Sequence, residues 1–248
     1  MKFGIIGAGT IGSIISKKLV KNGHDVKIAD ARGIEHLEGK ELAGTPVLIE
    51  DVMTNIEVLI ISLPLTALPS IRNIIEQVGE EVIVVDTSNY YPSRDQKIAE
   101  IENGMVESDW VSNQLGKPII KAFNNLLAHT LENEGTPEGT SGRIAMAIAG
   151  NDVSQKQIIM DVVNQLGFDT VDSGSLSDSW RQQPGTPSYC TELTKEELTK
   201  EELTKALEKA NKEKAPFLRD KVIEKLSASN FPLANKDIVN MNREIYNS

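Results

Sequence analysis

Over roughly the first 175 residues, short apolar runs alternate with longer amphipathic stretches. Lys2–Ile6 is apolar, rich in branched side chains and ends on Gly7, the pattern of a buried strand. Ile11–Asn22 places Ile11, Ile14, Ile15, Leu19 and Val20 on one helical face and stops at Asn22-Gly23. The same reading predicts strands at Asp25–Ala29, Pro46–Ile49, Glu57–Ser62, Glu81–Asp86, Pro118–Phe123, Arg143–Ala149 and Phe168–Val171. It predicts helices at Ala67–Val78 and Val153–Leu166, the latter closed by Gly167. Continuous apolar strands separated by helices imply an α/β chain with a doubly wound, mostly parallel sheet covered on both faces.

Beyond Asp172 the pattern changes. Ser173–Gln183 is polar, Pro184–Pro187 is turn material, and Leu193–Lys205 repeats LTKEE with a five-residue period that fits no helical repeat. We read that repeat as a local duplication on a solvated helix supported by Glu/Lys pairs. Phe217–Leu226 predicts another helix, followed by a tail containing Pro and Asn. The chain therefore divides into a domain over residues 1–175 and a C-terminal loop and helical extension over 176–248, packing on the domain or on a partner subunit. Phe217, Leu218, Phe231 and Leu233 need burial, which points to a homodimer.

Composition narrows the function. With 26 Lys+Arg against 36 Asp+Glu the formal charge is −10, which argues against a nucleic-acid partner. One cysteine, Cys190, and three scattered histidines leave neither a disulfide framework nor a metal-ligand spacing. No apolar run approaches the ~20 residues that span a bilayer, and the apolar N-terminus is too short and glycine-broken for a signal peptide. A cytoplasmic enzyme or binding protein is expected.

Gly7-Ala8-Gly9-Thr10-Ile11-Gly12 is G-x-G-x-x-G between a predicted strand and a predicted helix, the context of a Rossmann-like dinucleotide site. Gly7 permits the tight turn, Gly9 the approach of a pyrophosphate, and Gly12 close helix–strand packing. The helix N-terminus offers N–H groups to the phosphates. Asp30, 18 residues after Gly12, suits the ribose hydroxyls of NAD, whereas Arg32 suits the 2′-phosphate of NADP. Both cofactors stay open, with a modest preference for NADPH expected from Arg32.

Chemistry should gather at the strand exits. Ser62-Leu63-Pro64 offers an apolar edge for a nicotinamide. The fifth exit presents Asn89 and the Tyr90-Tyr91 pair, and the sixth Lys121, Ala122 and Asn124. Trp180 and Arg181, with Gln182 and Gln183, make a surface suited to a flat, polar, anionic ligand. The absence of a nucleophile or metal set fits hydride transfer, which needs orientation and exclusion of water more than a protein nucleophile.

The segments GIIGAGTIG, VVDTSNYYPSRD, IKAFNNLLAHTL and DSWRQQPGTPSYCTEL resemble the deazaflavin (coenzyme F420)-dependent NADP oxidoreductases, in their bacterial branch of dinucleotide-binding oxidoreductases. The resemblance covers about residues 1–210. It implies an oxidoreductase that exchanges a hydride between NADP(H) and a small-molecule acceptor of flavin or deazaflavin type. It further implies that Gly7, Gly9, Thr10, Ile11 and Gly12 hold the pyrophosphate and that Arg32 meets the 2′-phosphate. Leu63 and Pro64 would flank the nicotinamide ribose, with Lys121, Ala122 and Asn124 at the nicotinamide end. We take Lys121 and Asn124 as catalytic. Ala8, Asp30, Ser62 and Asn89 join the cofactor set, and Tyr90, Trp180 and Arg181 the substrate set. Lys121→Ala is then expected to impair binding or turnover without unfolding. The alternatives are a reductase of a small carbonyl or imine with Lys121 as proton donor, and a non-catalytic nucleotide sensor using the Leu193–Lys214 helix as its contact surface.

Overall fold

The structure is a computed structural model that describes residues 1–198, 214–229 and 233–246. Eight strands form one sheet: β1 (Lys2–Ile6), β2 (Asp25–Ala29), β3 (Thr45–Pro46), β4 (Val58–Ile61), β5 (Ile83–Asp86), β6 (Ile120–Lys121), β7 (Ala145–Ala149) and β8 (Asp169–Gly174). Their order is β3-β2-β1-β4-β5-β6-β7-β8. All pairings are parallel except β6 with β7, which meet antiparallel at Lys121 and Ala149. Sequence order reverses between β1 and β4, and that switch point opens the crevice in which ligands of such sheets bind.

The strands are apolar throughout because both sheet faces are covered. Phe3, Ile5, Ile28, Ile60 and Val85 point to one face and pack with α1 (Thr10–Lys21) and the helix Val153–Gln165. Ile6, Ala29, Leu59, Ile61 and Val84 point to the other, under α2 (Leu68–Ile75) and α3 (Glu107–Leu115). This alternation within continuous apolar runs is the doubly wound arrangement.

Three expected elements are shorter than the pattern implied. The third strand holds only Thr45–Pro46, with Val47 N still donating to Ile28 O (3.0 Å). The sixth holds Ile120–Lys121; Ala122 still hydrogen-bonds to Asp86 O (3.2 Å), and Phe123 then turns away at φ +63°. The helix expected at Ala67–Val78 is a 3-10 turn, Leu65–Ala67, followed by α2. Two of the longer helices escaped the pattern. Helix α3 turns Glu107 and Ser108 inward beside Trp110, Val111 and Leu115. Helix Asn235–Tyr246 turns Asn242 inward beside Val239 and Ile245. Polar residues on the inner face erase the apolar period that announces a helix.

The C-terminal segments fold back on the sheet. Leu176 joins the core under α2, and Gln182 donates to Ala147 O (3.0 Å). Asn242 donates to Cys190 O (3.0 Å), and Arg243 to Thr191 O (2.6 Å). The helix expected at Phe217–Leu226 spans Ala215–Ala228. Leu218 is buried in this chain, whereas Phe217 is 69% exposed. Lys195–Leu198 is helical; residues 199–205 of the LTKEE repeat and Phe231 lie outside the described residues.

Ile60 is 1% exposed on a central strand, and Val153 is 72% exposed. Ile60→Ala is expected to lower stability by about 2–5 kcal/mol, and Val153→Ala to change it by less than about 0.5 kcal/mol. Urea unfolding of the two variants measures both.

Candidate functional site

The cleft begins with the glycine turn. Gly7 has φ +111°, and a Cβ there would lie 2.1 Å from Ser62 O, so only glycine lets β1 turn this close to the β4 exit. A Cβ on Gly12 would lie 1.9 Å from Gly7 O, so α1 presses its first turn onto the strand end. A Cβ on Gly9 meets nothing within 4 Å: the space above that residue is open. Gly9 is the N-cap of α1 and no side chain caps it, which leaves the first-turn N–H groups and the positive end of the helix facing the cleft. Thr10 and Ile11 stand on this lip. Ala8 is buried behind it, and its carbonyl accepts from Ser13 Oγ (3.3 Å). The opposite lip is Ser62, Leu63 and Pro64 from β4 with Thr87, Ser88 and Asn89 from β5, enclosing about 220 Å³.

At the far end of β2, Asp30 is held by its own loop. Its carboxylate accepts the Arg32 backbone N–H (3.1 Å), Arg32 Nε (2.9 Å) and Arg32 Nη2 (2.8 Å). Lys40 Nζ lies 3.8 Å away and also donates to Ala8 O (3.4 Å). The Arg32 hydrogen bonds hold the Asp30 carboxyl at about 2, well below the usual carboxylate range. Acid and base, which point to different cofactors in sequence, are one bidentate pair in the fold. The Arg32 side chain remains 65% exposed at that edge.

Lys121 does not reach the cleft. Its side chain is fully buried, and Nζ donates to Asp86 Oδ2 (2.6 Å) and to the carbonyl of Ser88. Asp86 also accepts the Ser88 N–H and hydroxyl, both at 3.0 Å. The expected catalytic lysine is therefore a buried tie between the β5 and β6 exits. Removing one partner of such a pair strands the other charge, so Lys121→Ala destabilises the fold, against the sequence expectation. Asn124 is also enclosed. It donates to Asn89 Oδ1 (3.0 Å) and Gln182 O (2.8 Å) and accepts from Gln182 Nε2 (2.9 Å). Its amide is committed to holding Asn89 and the 182 turn. Ala122 is fully buried and lends only backbone.

The expected substrate residues lie apart from the cleft. Tyr90 is buried among Trp110, Leu65 and Leu176, and its hydroxyl donates to Glu102 Oε1 (3.0 Å). It lines a second cavity, with Trp180. Arg181 pairs with Asp178 (3.1 Å) and donates to Ser173 O (3.2 Å). Trp180 therefore faces a different space from the candidate cleft, and Arg181 is engaged by Asp178 and the Ser173 carbonyl.

Arg94 is a site residue that sequence reasoning missed. The one-turn helix Pro92–Asp95 carries it back over the cleft opposite Gly9. Asp95 holds it at Nε (3.0 Å) and Nη2 (2.7 Å), and Nη2 also donates to Asn89 O (2.6 Å). The available signal was Pro92 directly after the β5 exit, a residue suited to a first helical turn. Beneath this wall Glu107 accepts the Tyr90 N–H (3.0 Å), and burial pushes its carboxyl up to about 7 against the pull of Lys121.

Among the described residues no three His, Cys, Asp or Glu side chains converge as a metal site would require. No described helix is long and apolar enough to cross a membrane.

Two stability experiments follow from these contacts. Gly12→Ala should cost about 1–3 kcal/mol or more, whereas Gly9→Ala should leave urea unfolding within about 0.5 kcal/mol. Because the folded pKa of Glu107 is raised, its contribution is fully present below the unfolded carboxyl value and is lost as pH rises through about 7. The urea midpoint of the parent should therefore fall more between pH 5 and pH 8 than that of Glu107→Gln; parallel curves would contradict this.

Residues 2–90 match the family described as NADP oxidoreductase, coenzyme F420-dependent. A 60-residue stretch is 52% identical to the Escherichia coli (strain K12) protein YjhV, covering 24% of this chain and 44% of that protein. The chain thus spans under half the length of this curated relative. Among solved structures, the hypothetical protein SMa0349 from Sinorhizobium meliloti superposes with TM-score 0.66 at 29% identity, over 79% of this chain and 96% of that one. A candidate F420-dependent NADP reductase from Arthrobacter sp. FB24 superposes with TM-score 0.56 at 20% identity, over 72% and 87%, and shares the fold. The matched segment contains the glycine turn, Asp30, Arg32 and the β4 and β5 exits. Over residues 2–90 the chain is thus similar to the family described as NADP oxidoreductase, coenzyme F420-dependent.

Proposed function

We propose that the chain is an NADP-dependent oxidoreductase that moves a hydride between the nicotinamide and an acceptor of deazaflavin or flavin type. The observation that carries the reading is the cleft at the switch point: open space above Gly9, an uncapped helix N-terminus on one lip, and Arg94 on the other. A pyrophosphate fits this arrangement, because a side chain at Gly9 would fill the approach and the first-turn N–H groups have no side-chain partner. A net charge of −10 opposes phosphate binding globally, so a local device of this kind is required.

When bound, the nicotinamide supplies or accepts the hydride. The chain's own residues orient and shield. Gly9, Thr10 and Ile11 hold the phosphates, and Leu63 and Pro64 give the apolar edge. Asn89 is held in place by Asn124, and Arg94 adds a cation at the lip. Lys121 acts as a positioning residue through Asp86 and Ser88. At the adenosine end Arg32 and Lys40 outnumber Asp30, leaving one net positive charge, which favours a 2′-phosphate over a bare ribose. The alternative of a carbonyl or imine reductase loses its proton donor, since Lys121 is buried and paired.

Fluorescence titration should show NADPH binding tighter than NADH by about five-fold, and Arg32→Ala should erase the difference while leaving NADH affinity unchanged. Arg94→Ala should weaken both nucleotides by about ten-fold. Absorbance assays with NADPH and either coenzyme F420 or FMN then test the acceptor. Tighter binding of NADH, or no turnover with either acceptor, would overturn the corresponding half of the reading.

A further inference from the structure

The second cavity encloses about 110 Å³ between the Tyr90–Glu107 segment, the turn at Trp180–Pro184 and the first turn of the helix Ala215–Ala228. One peptide separates it from the nucleotide cleft: Asn89 lines the cleft and Tyr90 the cavity. Two ionisable side chains of opposite type line it while nearly excluded from solvent, the guanidinium of Arg219 at 5% exposure and the carboxyl of Glu107 at 4%. They do not pair with each other. Arg219 Nε donates to Asp220 Oδ1 (2.8 Å) and its guanidinium lies over the Tyr90 ring (5.4 Å). Glu107 accepts the Tyr90 N–H (3.0 Å). Among the described residues these are the only hydrogen bonds of their side chains, although a guanidinium carries five N–H donors. Burying an ion is costly unless it is paired, so whatever fills the cavity completes both groups. The space is several times what one water needs.

We propose that this cavity is a second ligand site that takes a small zwitterion of the amino-acid class, its carboxylate on Arg219 and its ammonium on Glu107 and Glu102. Charge selects this class over its halves. A carboxylate alone would sit beside the Glu107 and Glu102 carboxyls with no cation to offer them, and an amine alone would give the guanidinium of Arg219, paired with Asp220 only through Nε, no further acceptor. Glu102 and Met105 are exposed and form the mouth, and the Trp180 ring and Met105 offer apolar contact for a short side chain. The site uses no residue of the nucleotide cleft, so it stands or falls independently of the redox reading.

Isothermal calorimetry on the full chain tests it with glycine, L-alanine and L-valine, and with propionate and ethylamine as single-charge controls. At least one amino acid should bind with one-to-one stoichiometry, and both controls at least about ten-fold more weakly. Arg219→Gln should lose the amino acid by about ten-fold or more while NADPH affinity stays within about two-fold, which reports an intact fold. If that variant also loses NADPH, Glu102→Gln at the mouth decides, with a loss of about three-fold or more expected. No binding by any of the three amino acids, equal binding of the controls, or full affinity in the deciding variant would overturn the proposal.

Discussion

The wall of the nucleotide cleft depends on one buried ion pair. Lys121 reaches from the end of β6 to Asp86 at the end of β5 and to the carbonyl of Ser88. Neither charge has solvent to turn to, so each is costly without the other. That constraint holds the two strand exits in register where β6 is only two residues long and its ladder supplies little. From it hang Ser88 and Asn89, then Asn124 and Gln182 through their amides, and so the docking of the 176–193 segment on the sheet.

The opposite lip is set by sterics. Gly7 and Gly12 remove the Cβ atoms that would separate helix from strand, and their close approach leaves the helix N-terminus exposed at the switch point. One lip is a dipole fixed by backbone and the other is a wall fixed by buried charge. The crevice between them is where we propose the phosphates bind, in a molecule whose own net charge is −10.

Much of the sheet was legible because buried parallel strands carry their own signature. The ranges of β1 and β2 follow directly from apolar runs bounded by turn residues, and the glycine spacing located the phosphate turn. Helix α3 and helix Asn235–Tyr246 were not legible, since Glu107, Ser108 and Asn242 occupy inner positions that a period-based reading assigns to solvent. Lys121 misled for a related reason. A lysine at a strand end reads as reaching a cleft, and only its neighbours in space reveal a partner 35 residues away. Tyr90 and Asn89 are adjacent in sequence, yet the extended backbone sends them to opposite sides of one wall.

The sequence by itself determined the doubly wound sheet and the glycines that shape the phosphate turn. These rest on local periodicity and on backbone freedom, both written in consecutive residues. Only the tertiary structure decided that Asp30 and Arg32 are one ion pair, that Lys121 is a tie rather than a reacting group, and that Arg94 faces Gly9. It also decided that Glu107 and Arg219 share a cavity without forming an ion pair. Burial, pairing and the sign of a pKa shift depend on what lies across the fold, and residues distant in sequence supply that environment.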